Sequence, residues 1–240
     1  MQIASTLKSE STMAKENENY DKRRLWGRAQ GRPLSPHQAG LVQTLLPQIA
    51  INPAAPLAQI KNGAPVILEI GFGGGEHVLA LAARRPDAMI FGAEPFLNGT
   101  AKALTGIDKQ ALTNVCLHHG DVWEVLENLP DARLESVYIL FPDPWPKPRH
   151  FKRRLVQEAL IAEIYRVLRP GGALYFASDI VSYVDWALAR ILRHGGFAWQ
   201  AEDSADWLTP YPDWPGTKYQ AKAIREGRTP HYLTFVKTEL

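Results

Sequence analysis

From Pro65 onward, short apolar runs alternate with stretches whose apolar residues recur at helical spacing. The runs 66–70, 89–94, 115–118, 136–141 and 173–177 are brief and largely apolar, as expected of strands covered on both faces. Between them the spacing predicts helices over 76–85, closed by Pro86, over 96–105, over 122–128 before Pro130, and over 153–168 before Pro170-Gly171-Gly172. The stripe Leu155, Leu160, Ile161, Ile164, Tyr165 and Leu168 reads as a core-facing surface. A helix over 181–193 ending at Gly195-Gly196, and strands over 197–201 and 232–237, complete the pattern. It predicts an α/β fold: a Rossmann-like, seven-stranded, mostly parallel sheet with helices on both faces. Upstream, Ser35 caps and Pro36 opens a predicted helix over 35–49, and Pro53 and Pro56 interrupt the chain.

The chain has 240 residues, of which 45% are apolar and 22% charged, a globular balance that excludes a mostly disordered or collagen-like protein. Residues 1–20 are polar and aperiodic and read as a mobile tail; 21–62 read as a basic arm and helix, and 63–240 as the main domain. Lys22-Arg23-Arg24 through Arg32 make the arm basic, with a solvated linker the simpler reading of its charge. No apolar run is long enough to span a membrane and the first fifteen residues lack a leader's apolar stretch, so a soluble cytoplasmic protein is expected. Cys116, the only cysteine, sits in an apolar run and reads as a buried small hydrophobe, not a nucleophile. The histidines lack ligand spacing, so no metal site is expected.

Net charge is only +2, but Lys147, Arg149, Lys152, Arg153 and Arg154 crowd into eight residues without an acid. With His150 and Phe151 among them, they offer phosphate contacts and a stacking face for RNA. Read at a helix start, this charge disagrees with the helix dipole unless an anion binds.

Candidate ligand chemistry begins at Leu68-Glu69-Ile70-Gly71-Phe72-Gly73-Gly74-Gly75-Glu76, where the first strand runs into the first helix. Gly71, Gly73 and Gly75 permit a sharp turn and close approach of a cofactor to the main chain. A dinucleotide fingerprint wants a small residue where this chain has Glu76, and a carboxylate there suits a cofactor without phosphates better. Glu94, nineteen positions beyond Gly75, stands where a carboxylate takes ribose hydroxyls. Asp121 reads either as an acceptor for an adenine amino group or as a helix cap. Glu69, inside a strand, requires a cationic or donor-rich partner. Acids at three successive strands suit S-adenosylmethionine, with its ammonium and sulfonium. After the fourth strand, Phe141-Pro142-Asp143-Pro144-Trp145-Pro146-Lys147-Pro148 is stiffened by its prolines and presents Asp143 at the rim where open α/β sheets bind ligands. Asp179, after the fifth strand, reads as a further rim acid or a helix cap. A nicotinamide dehydrogenase and a non-catalytic RNA-binding module are the competing classes.

Over residues 22–240 the chain resembles the bacterial tRNA (guanine-N7)-methyltransferase family of class I methyltransferases. The likeness lies in Leu68 through Gly73, Gly92-Ala93-Glu94, Gly120-Asp121, Phe141 through Lys147, Ser178-Asp179 and Thr217-Lys218-Tyr219-Gln220. The glycine loop is generic to methyltransferases, whereas the proline–aspartate–proline–tryptophan segment is much more specific. The resemblance implies methyl transfer from S-adenosylmethionine to N7 of a guanosine at position 46 of the tRNA variable loop. It implies cofactor contacts from Glu69, Glu94, Asp121 and Asp143, with Asp143 also catalytic. By the same likeness Lys147, Asp179 and Thr217 through Gln220 meet the guanosine, and Arg149 through Arg154 meet the RNA. The family usually has glutamate where this chain has Gln220; the amide keeps an acceptor and loses the charge.

Overall fold

The computed structural model describes residues 31–58, 60 and 63–239. The predicted tail at 1–20 and most of the basic arm lie outside them. The strands are β1 (Val66–Ile70), β2 (Met89–Ala93), β3 (Val115–His118), β4 (Leu134–Leu140), β5 (Leu168–Ser178), β6 (Phe197–Trp199) and β7 (His231–Lys237). They form one sheet in the order β3-β2-β1-β4-β5-β7-β6, with β1 to β5 parallel and β7 antiparallel to both neighbours. This is the expected seven-stranded, mostly parallel architecture.

Helices α1 (Pro36–Thr44), α2 (Leu46–Ile49), α3 (Glu76–Arg84) and α4 (Leu97–Gln110) precede β3. They are followed by α5 (Val122–Leu126), α6 (Glu158–Val167), α7 (Val181–Arg193), α8 (Ala205–Leu208) and α9 (Lys218–Arg225). Side chains alternate across each strand, so Val66, Leu68 and Ile70 pack with α5, α6 and α7, while Ile67 packs on the other side with α1, α3 and α4. Ser35 caps α1 in a reciprocal capping box with Gln38, and Ile51 N–H donates to Leu117 O, tying this segment to the β3 edge. Cys116 is buried beside Met89, and burial pushes its thiol up to about 11.

Several helix boundaries differ from expectation: the helix expected over 35–49 breaks at Leu45 into α1 and α2, and the one expected over 122–128 ends at Leu126. α4 continues past Thr105 to Gln110, and its Gly106 allows close packing on α3, since a Cβ there would lie 2.3 Å from Leu79. The helix expected over 153–168 starts at Glu158, after a separate 3-10 helix at Pro148–Arg153. Glu158, not the basic cluster, occupies the first turn of α6, so the expected conflict with the helix dipole does not arise.

Candidate active site

The carboxyl ends of β1, β2, β4 and β5 meet at one rim. Gly71 and Gly73 adopt φ values of +75° and +56°, which favour glycine. A Cβ on Gly99 of α4 would lie 2.3 Å from Gly73 O, so glycine at 99 lets α4 press against the loop. A Cβ on Gly71 would meet nothing within 4 Å, leaving open space above the turn. Glu94 closes its side of this space: its Oε2 accepts from Gly73 N–H at 2.7 Å and its Oε1 from Phe96 N–H at 2.9 Å. Burial raises the Glu94 pKa against those hydrogen bonds. Each carboxylate oxygen retains a further acceptor site.

Glu69 has the partner its strand position demanded. Its Oε2 lies 2.7 Å from Nδ1 of His77, and both side chains are buried. Sequence reasoning misses His77, although an unpaired strand acid and a histidine in the adjoining helix turn signal such a pair. Glu69 therefore has one of its acceptor positions engaged by His77. Asp121 is the cap of α5: its Oδ1 accepts from Trp123 N–H at 3.1 Å, and burial raises its pKa. Its second oxygen makes no hydrogen bond among the described residues.

Phe141 and Trp145, on either side of the Pro142-Asp143-Pro144 step, hold φ values of +50° and +41°. Non-glycine residues store strain in that region, and it gathers at functional sites. Asp143 stands exposed between them without a hydrogen-bond partner among the described residues, and desolvation raises its pKa. From the far side of the cleft, α9 brings Lys218 and Tyr219 over the glycine loop. A Cβ on Gly73 would lie 3.4 Å from the Tyr219 ring and 3.9 Å from Lys218 Nζ. The Tyr219 hydroxyl pKa is raised by burial and then by the negative charges of Glu94, Asp143 and Glu76. Gly73, Glu94, Asp143, Lys218 and Tyr219 thus converge on one space.

Other expected ligands have partners inside the protein. Thr217 caps α9 by accepting from Gln220 N–H. The Gln220 amide accepts from Trp214 Nε1–H and donates to the Tyr232 hydroxyl, both at 2.7 Å. Asp179 is not a helix cap; Ile180 is, and Asp179 accepts from Arg228 Nε at 2.5 Å. Beside that pair a cavity of about 590 Å³ opens between Val181, Leu208 and His231. Arg228 is a further residue that sequence reasoning misses; nothing in its local sequence marks it.

In the basic segment, Lys147, Arg149 and Lys152 are exposed. Partial desolvation and the neighbouring cations of Arg153, Arg149 and Lys147 lower the His150 pKa. Arg153 lies over the Trp145 ring at 4.9 Å. Phe151 is half-buried against Trp186, which limits it as a stacking face. Contrary to the expected RNA contact, Arg154 is 1% exposed, enclosed by protein, and cannot reach a phosphate on the surface.

These residues fit an adenosyl cofactor: open space over Gly71, acceptors at Glu94 and Asp121, and Asp143 close enough to Glu94 for its charge to raise that pKa. Residues 63–233 match the family described as "Putative methyltransferase". Among curated relatives, the tRNA (guanine-N(7)-)-methyltransferase of Brucella melitensis is 47% identical over 218 residues, covering 88% of this chain and 94% of that one. That of Agrobacterium fabrum is 42% identical over 231 residues, covering 94% of this chain and all of that one. The chain belongs to the tRNA (guanine-N7)-methyltransferase family. Solved structures add likeness of fold: the antibiotic-resistance methyltransferase Kmr (TM-score 0.54, 20% identity, 78% of this chain and 93% of that chain) and the 16S rRNA methyltransferase KamB (0.52, 16%, 90% and 99%).

Membership of this methyltransferase family sets the dehydrogenase reading aside and makes S-adenosylmethionine the cofactor. Glu76, which argued against a dinucleotide, forms an ion pair with Lys102 at 2.6 Å. Among the described residues no cluster of histidine, cysteine or carboxylates is placed to hold a metal, and no helix is long and apolar enough to cross a membrane.

Proposed function

We propose that this protein methylates N7 of guanosine 46 in the variable loop of tRNA, in the cytoplasm. Bound S-adenosylmethionine supplies a methyl carbon made electrophilic by its positively charged sulfur. Guanine N7 carries an in-plane lone pair and no proton, so no side chain has to act as general base on it. The work left to the protein is orientation, which can supply several kcal/mol of the barrier. Glu94 and the spare oxygen of Asp121 hold the nucleoside part of the cofactor, over a floor made by Glu69 and the turn of Gly71, Gly73 and Gly75. Asp143 accepts from the guanine edge and favours the positive charge that develops on the purine. Asp179, Thr217, Lys218, Tyr219 and Gln220 frame the base, the last by fixing α9. Lys147, Arg149, His150, Lys152 and Arg153 take the flanking phosphates.

The observation that carries this reading is the convergence of Asp143, Glu94, Lys218 and Tyr219 on the space above the glycine loop. Incubation with methyl-labelled donor and unmodified tRNA, followed by nucleoside mapping, tests it. Label is expected in 7-methylguanosine and absent from a transcript with adenosine at position 46. Label retained by that transcript, or found in another nucleoside, would overturn the assignment.

A further inference from the structure

The ledge that carries Asp143 has a supply problem. Pro142, Pro144, Pro146 and Pro148 lack backbone N–H groups, so the segment can fasten itself to the fold mainly through carbonyl oxygens, which need donors from elsewhere. One such donor is Arg154. Its Nε donates to Pro144 O at 2.9 Å, its Nη1 to Ser182 O at 2.8 Å and its Nη2 to the Ser182 hydroxyl at 3.2 Å. The guanidinium lies 3.8 Å from the Phe151 ring centre, 4.8 Å from that of Tyr183 and 5.1 Å from that of Trp186.

Arg154 has no carboxylate partner among the described residues. A buried cation is costly without one, and aromatic faces offset part of that cost. Nor is it a counter-ion for Asp143, whose shift comes from desolvation alone. What a planar fork provides here, and a point-like ammonium would not, is simultaneous donation to oxygens of two separate elements. The residue it grips is the immediate neighbour of Asp143, and the other end of the grip is the first turn of α7.

We infer that Arg154 is a positioning residue for the methyl transfer: it clamps the Asp143 ledge to the start of α7 and takes no part in holding RNA. This rests on the role proposed above for Asp143. A displacement of about 1 Å at a reacting centre can cost on the order of a hundredfold in rate, so loosening the clamp should register in the chemical step.

The test compares Arg154→Lys and Arg154→Met with Asp143→Asn, by single-turnover methylation at saturating donor and tRNA and by tRNA binding across a salt series. Fluorine NMR of fluorotryptophan-labelled protein reports on Trp145, its resonance assigned through Trp145→Phe. Arg154→Lys is expected to slow single turnover at least tenfold and Arg154→Met about a hundredfold. Both should leave tRNA affinity and its salt slope within twofold of the parent and shift or broaden the Trp145 signal. Because Met removes all three hydrogen bonds and can impair folding, Lys decides where Met yields no folded protein. Weaker tRNA binding with a flatter salt slope at unchanged rate would make Arg154 an RNA contact and overturn the inference. A full rate per folded molecule with only a lowered melting temperature would reduce it to a stability role and overturn it equally. If Asp143→Asn itself keeps the full rate, the role given to Asp143 fails, and that variant alone reports it; if it is slow while Arg154→Lys is normal, only the clamp fails.

Discussion

Asp143 is an exposed carboxyl without a protein partner among the described residues, and its partial desolvation has a cost with a sign. Desolvation raises its pKa above the ordinary 3.8, so the folded state binds its proton more tightly than the unfolded chain does. As pH climbs through 3.8 the unfolded chain loses that proton first, and stability falls until the folded carboxyl has also ionised. Above that point a constant penalty remains. Asp143→Asn should therefore melt at the same temperature as the parent or slightly above it at pH 7, with the difference vanishing below pH 3.8. Its turnover at pH 7 should nevertheless fall by two orders of magnitude or more. Melting curves at the two pH values, with rates on the same samples, check both halves; a variant that is slow because it is unstable contradicts the proposed role. The position of this acid was legible in sequence because prolines bracket it and the strand before it is plain. The fate of Arg154 was not: the stretch Arg153-Arg154 offers no local sign that one guanidinium turns inward beneath Trp186 while its neighbour lies over Trp145.

At the level of elements, the strands could be read because burial on both faces writes continuous apolar runs, and β1, β3 and the helix α7 fall where the pattern put them. The segment after β6 could not, because its order comes from long-range aromatic packing. The Tyr211 hydroxyl donates to Phe176 O and Leu233 O, and Trp214 packs beside His77, Tyr211 and Tyr232. Gln220 joins this cluster to α9, and so its distance from the cofactor turn is set by Trp214 and Tyr232. Gln220→Ala removes both amide bonds and should cost about 1–3 kcal/mol. For a domain of this size that is a fall in melting temperature of roughly 2–12 °C. The apparent KM for tRNA should rise several-fold as Lys218 and Tyr219 lose their anchorage. Gln220→Glu can still accept from both Trp214 Nε1–H and a rotated Tyr232 hydroxyl, and should stay within about 1 kcal/mol of the parent. Thermal melts and tRNA titrations of the two variants decide the matter. Equal loss in both would mean that residue 220 contributes its neutral amide directly to substrate.

Across the whole molecule, a net charge of +2 gives no strong field, so RNA affinity has to come from where the cations stand. Lys147, Arg149 and Lys152 are exposed beside the Asp143 ledge, whereas the cations of Arg85 and Arg166 are held in ion pairs with Glu135, Asp87, Glu163 and Asp131. Gly31 N–H donates to Asn98 Oδ1, and Asn98 Nδ2–H donates to Arg32 O, so the basic arm enters the described fold at the first turn of α4, close to Glu94. Among the described residues, Arg32 therefore stands on the β2 side of the rim, beside α4, and the cations of 147–153 on the β4 side. Taking one lysine or arginine off a phosphate should lower the slope of log affinity against log salt by about 1. Replacing Lys147, Arg149 and Lys152 together by alanine should reduce that slope by about 3 and weaken binding most at low salt, with donor affinity unchanged. Adding Arg154→Lys to the triple variant should leave the slope where it was, because a buried cation displaces no counterions from RNA. Titration of fluorescent tRNA between about 50 and 200 mM salt measures both. A slope that stays constant in the triple variant would move the RNA path off the ledge and onto the arm that enters beside α4.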